Sequence, residues 1–462
     1  MKNFFGLAVV TSALLLAGCG GGSPAADANT KAASTAVQVN LGDDPADRLL
    51  AANMAIDSLA FTNASGASVP VLSATVNMEM MQSMGTVRPL SLTNMPQGTY
   101  SGATMTFAAA TVTYMDAASG QVMQRTVPGP MTAKVNFDQS LVVGSAPMVV
   151  NLDMDMNRSV TIDGNGNVSM MPALTAAWRT AVPGSHDPED GGINHMTGMV
   201  GNVSGASLHM TMLQGFSDLT LMTHAGTEFA GVSGMGAMGA GMLVAVDASL
   251  QADGSWLASR VQSVMPVGGS MVMGVVTAIT GNPPTQIVLA ARDGTGQGMM
   301  SSNLAGTTTV DLGSATSFEI ESHDVDLSNL PFTPRFDAAS LSKGQSVAAF
   351  SGGRMTQGGG MGGMMGGGTI AASAVQLVPQ GLRGTVSAYA ANGAQASFTL
   401  TVPADSAFAV LSGSRSLTVY QQPGTRLGGV QSIANGAAVT VRGLLFVDAG
   451  AFKLVSARIV GA

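Results

Sequence analysis

Gly198-Met199-Val200-Gly201-Asn202-Val203, Gly274-Val275-Val276-Thr277-Ala278-Ile279 and Gly384-Thr385-Val386-Ser387-Ala388-Tyr389 are three copies of one pattern, Gly-x-Val-x-x-apolar. Three further landmarks follow each copy in the same order. A Thr/Ser-x-Phe element comes at Thr227/Phe229, Thr316/Phe318 and Ser406/Phe408, and a Gly-x-x-Val strand start at Gly241/Val244, Gly344/Val347 and Gly436/Val439. The copies close on Ala258-Ser259-Arg260-Val261, Ala372-Ser373-Ala374-Val375 and Ser456-Ala457-Arg458-Ile459. Four landmarks in one order, three times over, mark internal repeats. Bounded at 195–266, 271–378 and 380–462, each repeat has room for about five or six short strands, and a small, partly open, OB-like β-barrel is the expected geometry. The second repeat alone carries a run of Gly and Met over 352–368, too poor in packing groups to offset its ordering entropy, and is expected to be a flexible inserted hairpin tip.

Upstream, residues 37–178 alternate with period two, the mark of half-buried strands. Val150, Leu152, Met154 and Met156 alternate with Asn151, Asp153, Asp155 and Asn157. Met105 and Phe107 lead to Val112 and Tyr114 with shifted parity, which predicts a bulge near Ala109. A short helix is expected within Asp44 to Leu59, ahead of a strand from Ile56. The remainder predicts an Ig-like β-sandwich, so the chain as a whole is expected to be all-β. Residues 179–194, with Pro183, Gly184, Pro188, Gly191 and Gly192 beside Asp187, Glu189 and Asp190, read as a solvated acidic linker.

Two resemblances follow from these residues. The stretch Asn94-Met95-Pro96-Gln97-Gly98-Thr99-Tyr100, the strand pair to Met115, then Phe137 through Val160 and Met170-Met171-Pro172, resembles the N-terminal domain of a group of uncharacterised bacterial lipoproteins over roughly residues 37–180. The three repeats resemble small β-barrel modules of unknown function found in bacterial exported proteins. Neither resemblance carries catalytic residues to transfer.

The N-terminus agrees with export. Residues 1–18 hold Lys2, an apolar stretch from Phe4 to Leu16, and small residues before the chain's single cysteine. Leu16-Ala17-Gly18-Cys19 resembles the lipobox of bacterial lipoproteins, in which the cysteine thiol receives lipid and becomes the new N-terminus. Gly20 follows rather than the Asp of an inner-membrane retention signal, so a lipid anchor at the outer membrane is expected. Residues 19–36 are then a tether.

Composition excludes several classes. Nineteen Lys and Arg against 27 Asp and Glu give a net charge of -8 with no basic stripe, so nucleic acid is not an expected partner. One cysteine excludes an internal disulfide or a CxxC pair. No Gly-x-Ser-x-Gly, His-Glu-x-x-His, phosphate loop or Rossmann fingerprint is present, and no cofactor is implied. Asp163-x-Asn165-x-Asn167 opens like a calcium loop but has Val168 and Leu174 where Gly and Glu are needed, so a turn is expected.

The 33 methionines raise Cu(I), a soft ion suited to thioethers. Met78, Met80, Met81 and Met84 lie close in sequence, as do Met361, Met364 and Met365, and His195 and His209 each sit beside methionine. Methionine on alternating strand positions is more simply an adaptable apolar filler. His186 and His195 also flank the acidic linker, whereas His224 and His323 have no partner at metal-ligand spacing. The expected function is a non-catalytic binding or structural role at the envelope, with an envelope protein or glycan as partner. Metal handling through Met361, Met364, Met365, His195 and His209 is the alternative.

Because Cys19 is the only thiol, Cys19→Ala is expected to abolish lipid attachment. Metabolic labelling with an alkyne fatty acid should mark wild type alone, and equal labelling of the variant would exclude the anchor.

Overall fold

The structure, a computed structural model, describes residues 33–44, 46–116, 118–213, 215, 218–265, 269–296, 299–300, 306–352, 356–357, 368–430 and 432–461. The signal segment 1–18 with Leu16, Ala17, Gly18 and Cys19, and Met361, Met364 and Met365 of the Gly/Met run, lie outside them.

The chain is nearly all β. Its first unit is a sandwich. One sheet runs in the order Leu174–Thr180, Met148–Asp155, Ser34–Asp44, Val87–Pro96, and the other places Leu49–Asn63 beside Gly98–Asp116 and Gln121–Val143. Alternate residues of both sheets meet in one core: Val37, Val39, Leu41, Val150, Leu152 and Met154 face Met54, Ile56, Phe61, Met105, Phe107 and Tyr114. The parity shift read near Ala109 is a bulge, since the pairing of Gly98–Asp116 with Gln121–Val143 slips between Phe107 and Ala109. The helix expected within Asp44 to Leu59 is absent there, and residues 49–63 form one long strand. The strand at Ser34–Asp44 also reaches three residues into the expected tether, because Ser34 to Ala36 pair with Pro96 to Asn94.

The three repeats are three barrels with one wiring. In the first, Gly192–Ser204, Ser207–Met212, Asp218–Met222, Leu243–Leu250 and Trp256–Met265 pair in the order 1-2-3-5-4-1. The second uses Ser270–Thr280, Gln286–Gly296, Thr307–Ile320, Ser346–Ser351 and Gly368–Leu377 in the same order. The third, Gln380–Asn392, Gln395–Thr401, Ser416–Gly428, Ala438–Asp448 and Ala451–Gly461, is a closed barrel, tighter than the partly open form expected. In all three, strand 3 runs parallel to strand 5, as in an OB-fold.

The sequence landmarks now have causes. The opening glycine of each copy sits where strand 1 crosses closely over strand 2: a Cβ on Gly198, Gly274 or Gly384 would lie 3.0, 2.2 or 2.5 Å from the carbonyl oxygen of Thr211, Ala290 or Thr401. The strand-4 glycines, Gly241, Gly344 and Gly436, have φ of +84°, +89° and +87°, and donate their N–H groups to Val200, Val276 and Val386, the valines of the three openings. The Thr-x-Phe landmark needs one correction. Thr227 and Thr316 donate their hydroxyls to the strand-5 carbonyls of Ala258 and Ala372, both at 2.7 Å. In the third barrel Thr425 does this, toward Ser456 at 2.8 Å, and not Ser406, which instead caps the short helix Ala407–Ser412. Leu427 stands where the other copies carry Phe, so the true partner had lost half of the motif.

Residues 34–462 form one compact unit. The stretch 179–194 is packed only in part: residues 182–184 and His186 stay exposed, whereas Pro188 and Gly191 to Ile193 are buried, and Gln38 and Asn40, both fully buried on Ser34–Asp44, donate to the carbonyls of Gly192 and Pro188 at 3.2 and 2.6 Å. The polar face of that strand therefore meets protein, which alternation alone cannot distinguish from water. Leu444, Phe446 and Val455 of the third barrel lie in the core cluster of the second. Leu50 and Met115 of the sandwich share another cluster with Val275, Ala290, Ala407 and Leu411.

Beside that cluster, burial pushes the Asp47 carboxyl up from the ordinary aspartate range to about 6, Arg383 opposing and Asp405 adding. The folded chain thus holds a proton that the unfolded chain releases, so stability attributable to Asp47 falls as pH rises from about 4 to about 6. Asp47→Asn is expected to stabilise by roughly 2 kcal/mol above pH 6 and to change little below pH 4, read as the difference in urea midpoints across that range. A difference independent of pH would refute this assignment.

Candidate functional site

A cavity of about 480 Å³ lies where the sandwich and all three barrels meet, within the range of small-molecule sites. Val87 and Arg88 come from the sandwich, Met196 and Gln262 from the first barrel, Met271 and Gln376 from the second, and Arg442 and Arg458 from the third. The wall is therefore built mainly from first, fourth and fifth strands, and not from the strand 2–3 face on which OB-folds commonly bind.

Five arginines line it: Arg88, Arg292, Arg426, Arg442 and Arg458. Most are compensated. Arg458, 7% exposed, reaches Glu189 and stands 3.5 Å from Asp187, which also pairs with Arg426 at 3.5 Å. The acidic residues of the expected linker are thus held by arginines of the third barrel. Arg292 is buried, donates to the Leu50 carbonyl at 2.6 Å and is held electrostatically by Glu79 and Asp43. Burial holds its pKa below the ordinary arginine value and pushes that of Glu79 up.

Arg442 differs. Its Nη1 donates to the Gln82 carbonyl at 2.9 Å, and burial together with the charge of Arg88 holds its pKa down at about 10, Arg292 and Arg458 adding to the effect. Asp324 is the one carboxylate that opposes this, and it is engaged by Asn194 at 3.2 Å.

The other wall carries histidines. The pairing of Gly192–Ser204 with Leu243–Leu250 slips between Ile193 and Met196, and His195 takes φ +46°, so a bulge re-aims its ring. Its N–H donates to Asp247 Oδ1 at 2.6 Å, and its Nε2 lies 3.7 Å from Glu321. His323, from the loop after strand 3 of the second barrel, places Nε2 at 3.0 Å from Asp247 Oδ2, and the two rings stand 5.1 Å apart. His323 thus has partners that its sequence surroundings concealed. Burial holds His195 below the usual histidine value, whereas the hydrogen bond to Asp247 raises His323. For Asp247 burial pushes upward, but the bonds from His323 and the His195 N–H together hold the carboxyl low.

His195, Asp247 and His323 offer ligand atoms within 4.8 Å of one another. The second nitrogen of His323 is also engaged within the protein. Nδ1 is approached by the Arg260 guanidinium, which can only donate, while an imidazole that ligates through Nε2 carries its proton on Nδ1. The cluster is a hydrogen-bonded clamp between the first and second barrels.

The remaining sequence candidates lie elsewhere. His209 is on the second strand of the first barrel, 3.7 Å from Asp218. Met78, Met80, Met81 and Met84 are buried in the sandwich core and act as apolar filler. Asp163 closes its turn by accepting from the N–H groups of Asn165 and Asn167 at 2.9 and 2.8 Å.

Residues 197–262 match a family described as a domain of unknown function (DUF5666). The match begins on strand 1 of the first barrel and ends on strand 5, and so spans the ring. The second and third barrels repeat its wiring. None of the curated proteins matches the chain.

Arg442 stands in the cavity wall among charges of its own sign, so removing that charge should relieve the fold. Arg442→Met is expected to raise the urea midpoint of the ligand-free protein, by about 1 kcal/mol or more at unchanged slope. A lower midpoint would mean that the bond to Gln82 outweighs the repulsion.

Proposed function

We propose that this chain is a non-catalytic binding protein, held at the bacterial outer membrane by lipid on Cys19, whose ligand is a small molecule seated in the cavity between the sandwich and the barrels. One observation carries the reading: on residues lining this one cavity, five polar side-chain atoms that water does not reach have no hydrogen-bond partner among the described residues. They are Gln82 Nε2, Asn194 Oδ1, Gln262 Oε1, Ser346 Oγ and Arg458 Nε. Each buried polar group left unpaired costs about 1–3 kcal/mol, a cost that a bound molecule would offset once these side chains turn toward it.

The lipobox-like Leu16-Ala17-Gly18-Cys19 supports the anchor, and the cavity's volume favours a small molecule over a macromolecular partner. Three similar barrels serve the site by walling it from different sides.

Mass spectrometry of small molecules released from natively purified full chain tests the reading, with Ala374→Trp as the blocked form because Ala374 lines the cavity. One or a few compounds enriched in wild type and lost from a folded variant are expected. Identical contents in the two would remove the cavity as the binding site.

A further inference from the structure

We propose that the occupant of this cavity is an amphipathic anion, a carboxylate or phosphate on an apolar body, with Arg442 as the anchor of its charged end. The inference rests on the binding reading above and names the ligand class of that site.

The charged end follows from donors without acceptors. The hydrogen bond of Arg442 among the described residues goes to a neutral carbonyl, that of Gln82. Gln82 Nε2, Ser346 Oγ and Arg458 Nε, on cavity-lining residues 5%, 2% and 7% exposed, are three further donors with no acceptor among the described residues, and they reach a ligand once their side chains turn toward it. The carboxylates that line the cavity are already committed: Glu321 accepts from Gln376 at 3.2 Å and from the His323 N–H at 3.1 Å, Asp324 from Asn194, and Glu319 from Ser317 at 3.3 Å. A planar guanidinium together with such donors matches the two oxygens of a carboxylate or phosphate.

The apolar body follows from the rest of the lining. Leu243, Met265 and Met271 form a small cluster of their own, with Leu213, Val264 and Phe350 packed against it. Met265, Met271, Leu213, Val264 and Phe350 all line the cavity, and Met196 and Met273 extend the lining. Methionine thioethers adapt to irregular apolar surfaces, so this wall suits a flexible chain or ring. A bare inorganic anion would leave it uncovered.

Equilibrium dialysis of the full chain with labelled decanoate tests the inference, with decanol and decyltrimethylammonium as neutral and cationic competitors below their aggregation concentrations. Decanoate is expected to bind at one site, at least tenfold more tightly than decanol and with no competition from the cation. Arg442→Met should abolish the preference for decanoate while leaving decanol binding, Arg442→Lys should retain part of it, and Arg158→Met, at a side chain 78% exposed, should change nothing. Equal affinity for decanoate and decanol would overturn the anion while leaving a binding cavity. Decanoate bound equally by Arg442→Met would overturn Arg442 as its anchor. If Ala374→Trp loses a native compound yet none of the three probes binds wild type, the amphipathic class is wrong and the binding reading stands.

Discussion

Parallel pairing of strand 3 with strand 5 is the constraint on which each barrel depends. Four antiparallel contacts can be made by hairpins and returns, but the fifth must join two strands running the same way, where sequence-local turns give no help. In every copy a threonine pins this contact. Thr227, Thr316 and Thr425 accept from the N–H three residues earlier, at 3.0, 2.9 and 2.9 Å, and donate to a strand-5 carbonyl. One hydroxyl thus ties a bend in the chain to strand 5, while the strand-1 glycines remove Cβ atoms that closure would crowd and the glycines ahead of strand 4 supply the positive φ its entry needs.

Once closed, the barrels leave polar edges where they meet, and the junction handles these with charge. Asp187 and Glu189 reach Arg426 and Arg458 across a sequence separation of more than two hundred residues, and Asp247 draws His195 and His323 together across the first and second barrels. Buried ion pairs of this kind add little net stability, yet losing one partner strands the other in a poor solvent, so they fix the mutual arrangement of the barrels. The cavity is the space left at their junction. Its unpaired donors and the crowded Arg442 are a cost the fold carries around this cavity.

The sequence was most legible where the physical demand was local. Gly198, Gly274 and Gly384, or Gly241, Gly344 and Gly436, are each required by a single close approach or a positive φ, so the residue type survives in all copies. The threonine landmark was half legible: its hydroxyl is needed, but the residue two positions on is incompletely covered, Phe229 and Phe318 being half-buried and Leu427 40% exposed, so its side chain is free to differ. The junction was hidden. Gln38 and Asn40 lie on the polar face of their strand yet are fully buried, and alternation reports that two faces differ, not what covers the second one. His323 read as isolated because Asp247 lies on a different barrel.

By itself, then, the sequence determined the all-β class, the threefold repetition, the barrel-like size of each copy, and the bulge near Ala109, because strand periodicity, turn glycines and repeat spacing act within a few residues of chain. Tertiary structure decided the closure order of the rings, the burial of Pro188 and Gly191 to Ile193, and the cavity with its arginine and methionine walls. Those features join residues from four units, as with Gln82 and Arg442, whose bond spans 360 positions. No spacing along one chain encodes such a contact, since it exists only after each unit has folded and the apolar surfaces they share have brought them together.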